Sequence, residues 1–104
     1  MDIDVTHHPE RRRYELHADG AAAGHAGYSD DGDVRSIMHT WVEGEYEGQG
    51  LGSELIVAVL TDIRDSGLQV LPVCPFVPHV ITAHPDFVAL VPEDARARFG
   101  LAEV

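Results

Sequence analysis

The spacing of apolar and polar residues divides the chain into a first part of period two and a second part of period 3.6. Val5 to His7 reads as a short first strand, closed by His8-Pro9-Glu10. From Arg12 to Ala18 the apolar Tyr14, Leu16 and Ala18 alternate with Arg13, Glu15 and His17, which predicts a second strand with one buried face. Asp19-Gly20 is a two-residue hairpin signal. It leads into a third, Ala- and Gly-rich strand over Ala21 to Ser29 and then the turn Asp30-Asp31-Gly32-Asp33. Val34 to Val42 carries Ile37, Met38, Trp41 and Val42 on both parities, so it reads as a central strand covered on both faces.

After that the period changes. Leu51, Leu55, Ile56, Val59, Leu60 and Ile63 recur at helical spacing, which predicts an amphipathic helix from Leu51 to Ser66 with Gly67 as its C-terminal cap. Leu68 to Cys74 is an apolar run of strand length. A strand, a helix and a second strand in this order predict a right-handed βαβ crossover with the two strands parallel. Phe76 to His84 reads as a short helix, His84-Pro85-Asp86 as a break, Phe87 to Val91 as an edge strand and Pro92 to Phe99 as a helical tail. The expected class is α/β (α+β), an antiparallel meander followed by a βαβ unit, with residues 1–104 forming one domain.

Composition narrows the chemistry. Seven basic residues, all Arg, against 18 acidic ones give a formal net charge of −11. A polyanion would be repelled by that field, so nucleic acid is not the expected partner, whereas a cationic amine is favoured. A lone cysteine, Cys74, excludes an internal disulfide. The N-terminal thirteen residues have no apolar segment of the signal-peptide kind, and no apolar run approaches the ~18–20 residues of a membrane span. A cytoplasmic location is the expectation.

The segment richest in chemical signal is Val42-Glu43-Gly44-Glu45-Tyr46-Glu47-Gly48-Gln49-Gly50-Leu51-Gly52-Ser53. Its glycines fall between a strand and the first turn of a helix, where backbone N–H groups and the positive end of the helix dipole converge on one point. That arrangement suits a pyrophosphate; a plain turn has the same composition. No Lys follows, so it is not a P-loop, and the Gly-x-Gly-x-Gly spacing is not the dinucleotide fingerprint.

Strand, acidic glycine loop, amphipathic helix and short strand together resemble the GNAT superfamily of N-acetyltransferases. His39-Thr40-x-Val42, the Glu-Gly-Gln-Gly-Leu-Gly-Ser loop, Leu71-Pro72-Val73-Cys74-Pro75-Phe76-Val77 and His84-Pro85-Asp86-Phe87 resemble its small, roughly hundred-residue members. The similarity runs from Tyr14 to Val91.

It implies a trimmed acyl-CoA fold with splayed parallel strands, acetyl-CoA as co-substrate and a primary amine on a small molecule or a lysine as acceptor. Val42, Gly48, Gln49, Gly50, Leu51, Gly52 and Ser53 are implied to hold the pantetheine and pyrophosphate, with His84 beside the cofactor. Glu47 stands where the superfamily motif has Arg or Gln, which puts a carboxylate near a diphosphate. A non-catalytic acyl-CoA sensor is the alternative on the same fold.

Two residues are candidates for the chemistry. His39 precedes the glycine loop, and an imidazole with its ordinary pKa of about 6.5 suits a general base; a strand-surface histidine is the plain reading. Cys74 ends the apolar run. It could protonate the departing thiolate, act as a nucleophile activated by His39, or simply fill space as a small buried apolar group. Cys74, His79 and His84 match no compact zinc spacing, so no metal is expected. Arg11-Arg12-Arg13 reads as a solvated strand start, with contact to the CoA 3′-phosphate as the alternative.

Overall fold

A computed structural model describes residues 1–101. Strands β1 (Ile3–His8), β2 (Arg13–Ala18), β3 (Ala21–Asp31) and β4 (Val34–Val42) form an antiparallel meander. Helix α1 (Leu51–Asp65) crosses over to β5 (Gln69–Leu71), parallel to β4, and helix α2 (Phe76–Ala83) follows. The sheet order is β1-β2-β3-β4-β5.

Local chemistry explains the joints. Asp19 and Gly20 both take positive φ, 49° and 83°, in the tight β2–β3 hairpin. The end of α1 is closed by Gly67 N–H bonding Arg64 O at 3.1 Å and Leu68 N–H bonding Ile63 O at 3.0 Å, the paired bonds of a Schellman motif.

The apolar stripe of α1, Leu51, Leu55, Ile56, Val59, Leu60 and Ile63, is buried in one cluster with Tyr14, Leu16, Ile37, Val70, Val77 and Ile81. Each fully buried Leu or Ile contributes roughly 1.5–3 kcal/mol to holding helix on sheet.

At the far end of the sheet from the glycine loop the core is closed by polar groups. Arg35, 8% exposed, makes two bonds to Asp30 at 2.8 and 3.0 Å and one to Tyr14 Oη at 2.8 Å, while its guanidinium lies 4.0 Å from the Tyr28 ring centre. The Tyr14 hydroxyl donates to Asp62 at 2.5 Å, so the network joins β2, β3 and β4 to α1. His7 of β1 stacks on Tyr14 at 4.2 Å and shares a 2.6 Å hydrogen bond with the Tyr28 hydroxyl. Burial and the neighbouring Arg35 charge hold His7 below its ordinary 6.5. Burial and the bond to Asp62 push the Tyr14 phenol well up.

Four expectations need correction. β4 is not covered on both faces: Met38 is 47% and Trp41 53% exposed on a sheet side that α1 does not reach. β5 is three residues long, not the whole of Leu68 to Cys74, because Pro72 has no N–H to continue the ladder and Val73 N–H turns back to Leu71 O at 3.0 Å.

Phe87 to Val91 is no edge strand. Pro85–Leu90 is a 3₁₀ turn started by the proline, and it sends Phe87 and Val88 into the core. The tail is two short 3₁₀ turns, Glu93–Ala95 and Ala97–Phe99, in place of one helix. No helix among the described residues is long and apolar enough to cross a membrane.

Candidate functional site

The site begins where β4 and β5 part. Their ladder pairs Val34, Arg35 and Ser36 with Gln69, Val70 and Leu71. A further bond runs from Cys74 N–H to Ile37 O, at 2.9 Å. Past this point Met38 to Val42 has no strand on its outer side, and the two segments open into a V. Cys74, 8% exposed, lies inside the V, its thiol 3.5 Å from the Thr40 hydroxyl.

β4 leads directly into the glycine loop. A 3₁₀ turn at Gly44–Tyr46 folds the acidic segment back, and Gly48 and Gly50 then take φ of 80° and 76°. Gly50 is the N-cap of α1 in the left-handed region, which a side-chain-bearing residue would enter at a cost of about 1 kcal/mol or more. No side chain caps this helix end. The N–H groups of Leu51, Gly52 and Ser53 are therefore the orphan donors of a 15-residue helix, with its positive dipole end behind them.

These groups line a crevice of about 280 Å³, walled by Val42, Tyr46 and Phe76 and floored by Glu47, Gly48 and Gly50 to Ser53. Gly52 keeps it narrow: a Cβ there would come within 3.2 Å of the Phe76 ring and 3.6 Å of the Val42 side chain. The backbone-lined mouth at a free helix N-terminus fits a diphosphate, and the V beyond Val42 fits an extended thioester arm.

The sequence-derived residues divide into three groups. Val42, Gly48, Gly50, Leu51, Gly52 and Ser53 come together in the crevice. Gln49 lies on the same loop, its amide 3.4 Å from Glu45 O. His84 stands apart as the C-terminal cap of α2, on a separate groove of about 670 Å³ between β1 and α1 that shares only Ser53 with the crevice.

His39 and Cys74 do not form a dyad. A bulge opposite Gly27 and Tyr28 leaves Met38 unpaired, so Met38 and His39 both lie on the open side, and alternation resumes beyond it, so that Thr40, beside Cys74, faces the helix side. There the His39 ring lies over Gly27 and meets the His25 ring edge-on at 5.4 Å. Burial, with Arg13 and His39 beside it, lowers the pKa of His25.

Sequence reasoning missed Phe76 as a wall, Thr40 as the cysteine's partner and Gly27 as the bed of His39. A glycine in mid-strand is a signal of close approach and could have flagged Gly27. Among the described residues no group of three or more His, Cys, Asp or Glu side chains could hold a metal ion.

Comparison with known proteins places this geometry. Residues 13–91 match the family model of the GCN5-related N-acetyltransferases, and the chain belongs to that family. A GCN5-like protein from Staphylococcus aureus superposes with a TM-score of 0.65 at 22% identity, over 86% of this chain and 87% of that one.

The ribosomal-protein-S18-alanine N-acetyltransferase of Escherichia coli gives 0.53 at 22% identity over 56% of this chain, which spans 38% of the enzyme's length. N-acetylglutamate synthase from Neisseria gonorrhoeae, solved with coenzyme A and N-acetyl-glutamate, gives 0.52 at 18% over 64% of this chain and 18% of that one. At these identities the likeness is one of fold. No curated protein sequence matches the chain.

Proposed function

We propose that the chain binds acetyl-CoA and transfers its acetyl group to a primary amine. The observation that carries this reading is the continuity of the uncapped α1 N-terminus, the crevice and the open β4–β5 V along one path. Backbone N–H groups from Gly48 to Ser53 hold the diphosphate. Val42 lies along the pantetheine, and the unpaired edge of Met38 to Val42 supplies donors for the thioester oxygen as it gains charge.

The neutral amine attacks the thioester carbon, the new C–N bond forms and the C–S bond breaks. His39 accepts the proton lost from nitrogen, and the Cys74 thiol protonates the leaving thiolate. Placement of the two on opposite faces supports this direct route over an acyl-cysteine activated by His39.

The test is release of free thiol from acetyl-CoA with a panel of amines. His39→Ala is expected to cost about a hundredfold, partly restored by added imidazole, and Cys74→Ala less than about tenfold. A Cys74→Ala loss near that of all chemistry, with acetylated protein trapped in the wild type, would replace direct attack with the covalent route.

A second reading, an acyl-CoA sensor without turnover, is favoured by one observation. Glu43, Glu45, Glu47 and Glu54 are all exposed around the loop, and no Arg lines the crevice. Acetyl-CoA binding with no thiol release on any amine is its signature.

A further inference from the structure

On the open face of the sheet, beside His39, lies a second cleft of about 280 Å³ whose lining is basic in a chain of net charge −11. Arg11, Arg12 and Arg13 form one wall; Tyr28, Met38 and His39 lie opposite. Three of the chain's seven cations thus converge next to the residue given the base role above.

Backbone bonds hold the wall in place: Arg12 N–H donates to Pro9 O at 3.1 Å and Tyr28 N–H to Arg12 O at 3.0 Å, with Arg12 at a φ of 52°. Glu15 takes up part of the charge, pairing with Arg13 at 2.6 Å and Arg11 at 3.4 Å. Arg12 has no ion-pair partner among the described residues. The nearby Asp30 is already bound twice by Arg35.

We infer that this cleft recognises the acceptor, and that the acceptor is an amine carrying an anionic carboxylate or phosphate a few bonds from its nitrogen. The inference rests on the acetyl-transfer reading. Arg12 takes the anionic oxygens, Met38 covers the linking carbons, and the nitrogen lies at the His39 end, toward the V. The acidic field of the whole chain draws the ammonium end of such a zwitterion, while the local arginines orient its other end. Charge alone pointed to a plain cation; the cleft sharpens that to an amine with an anionic tail.

The experiment uses the full chain with acetyl-CoA and amine pairs that differ only at the anionic end. These are β-alanine with its carboxamide, glycine with glycinamide, and O-phosphoethanolamine with ethanolamine. The anionic member of a pair is expected to have a kcat/KM about tenfold or more above its neutral partner. In Arg12→Ala that ratio collapses toward one, and Arg12→Lys restores part of it.

Whether the carboxylate or the phosphate pair shows the larger ratio identifies the anion. Equal rates within every pair, or a preference that survives Arg12→Ala, would overturn the inference. Backbone amide shifts give a readout independent of turnover. Millimolar N-acetylglycine or inorganic phosphate is expected to move the signals of Arg12, Tyr28 and His39 in the wild type and not in Arg12→Ala. Such shifts without turnover on any pair would keep the cleft and sink acetyl transfer; absence of shifts would sink the cleft.

Discussion

Gly27→Ala separates the position of the proposed base from the stability of the fold. A Cβ at residue 27 would fall 2.2 Å from Cε1, 2.6 Å from Nε2 and 3.0 Å from Nδ1 of His39. The closest of these is more than an ångström inside the ordinary ~3.5 Å carbon contact. What must move is a ring on an exposed face, at the free end of its side chain, not the strand beneath it.

Rotating the ring off its favoured position costs about 0.5–1.5 kcal/mol. Replacing a mid-strand glycine returns roughly 0.5–1 kcal/mol by restricting the unfolded chain. The two nearly cancel, so Tm is expected to shift by less than about 5 °C. Acetyl-CoA affinity is expected to hold, since the glycine crevice starts at Val42, past His39 along β4, and none of its lining residues is Gly27 or His39.

The catalytic effect is much larger. Displacing a reacting group by about 1 Å costs on the order of a hundredfold in rate. Thiol release at saturating acetyl-CoA, differential scanning fluorimetry and calorimetric acetyl-CoA binding would be run side by side. In a His39→Ala background Gly27→Ala should add no further loss, because the group it displaces is gone. A folded Gly27→Ala protein with full activity would refute the base assignment. A stability loss above about 3 kcal/mol would refute the claim that the ring alone yields.

Two other predictions concern charge. Glu47→Gln removes a carboxylate from the loop proposed to hold the diphosphate; like charges about 7 Å apart in a water-like medium repel by roughly 0.6 kcal/mol, so the acetyl-CoA Kd should fall about threefold by calorimetry. Moderate salt should likewise tighten binding by screening the net charge of −11.

Stability should decline on acidification. His7 and His25 both titrate below 6.5 in the folded chain, so the unfolded chain binds protons more readily as pH drops past that value. Their contribution is complete above about pH 6.5 and is lost as pH falls through the lowered values. Asp30 and Glu15, held down by Arg35 and Arg13, extend the loss to lower pH. Urea midpoints at pH 7.5 and 5.5 measure this, and His7→Gln should flatten the difference.

Local periodicity carried most of the fold. The α1 stripe and its glycine cap, the Asp19-Gly20 hairpin and the strand-loop-helix order were legible because each depends on residues close in sequence. All the crevice residues except Phe76 fall in one continuous segment from Val42 to Ser53, and that segment was legible for the same reason.

What failed depended on tertiary pairing. β5 stops after three residues because Pro72 withholds a donor, a local fact whose consequence depends on how β4 lies beside it. Phe87 and Val88 have strand-like side chains, yet the proline turn commits them to the core. The separation of His39 from Cys74 follows from strand parity, but only once Thr40 is known to be the neighbour of Cys74. The role of Arg12 needed the packing of the loop against Tyr28.

In the proposed reaction the mouth of α1 and the β4–β5 V together hold acetyl-CoA. This is tested most directly by titrating the isotopically labelled chain with acetyl-CoA and following its backbone amides. The largest shifts are expected on Gly48 to Ser53, with a second set at Thr40, Val42 and Cys74. Millimolar acetyl-CoA that leaves these amides unmoved, or moves only those on the groove beside His84, would contradict it.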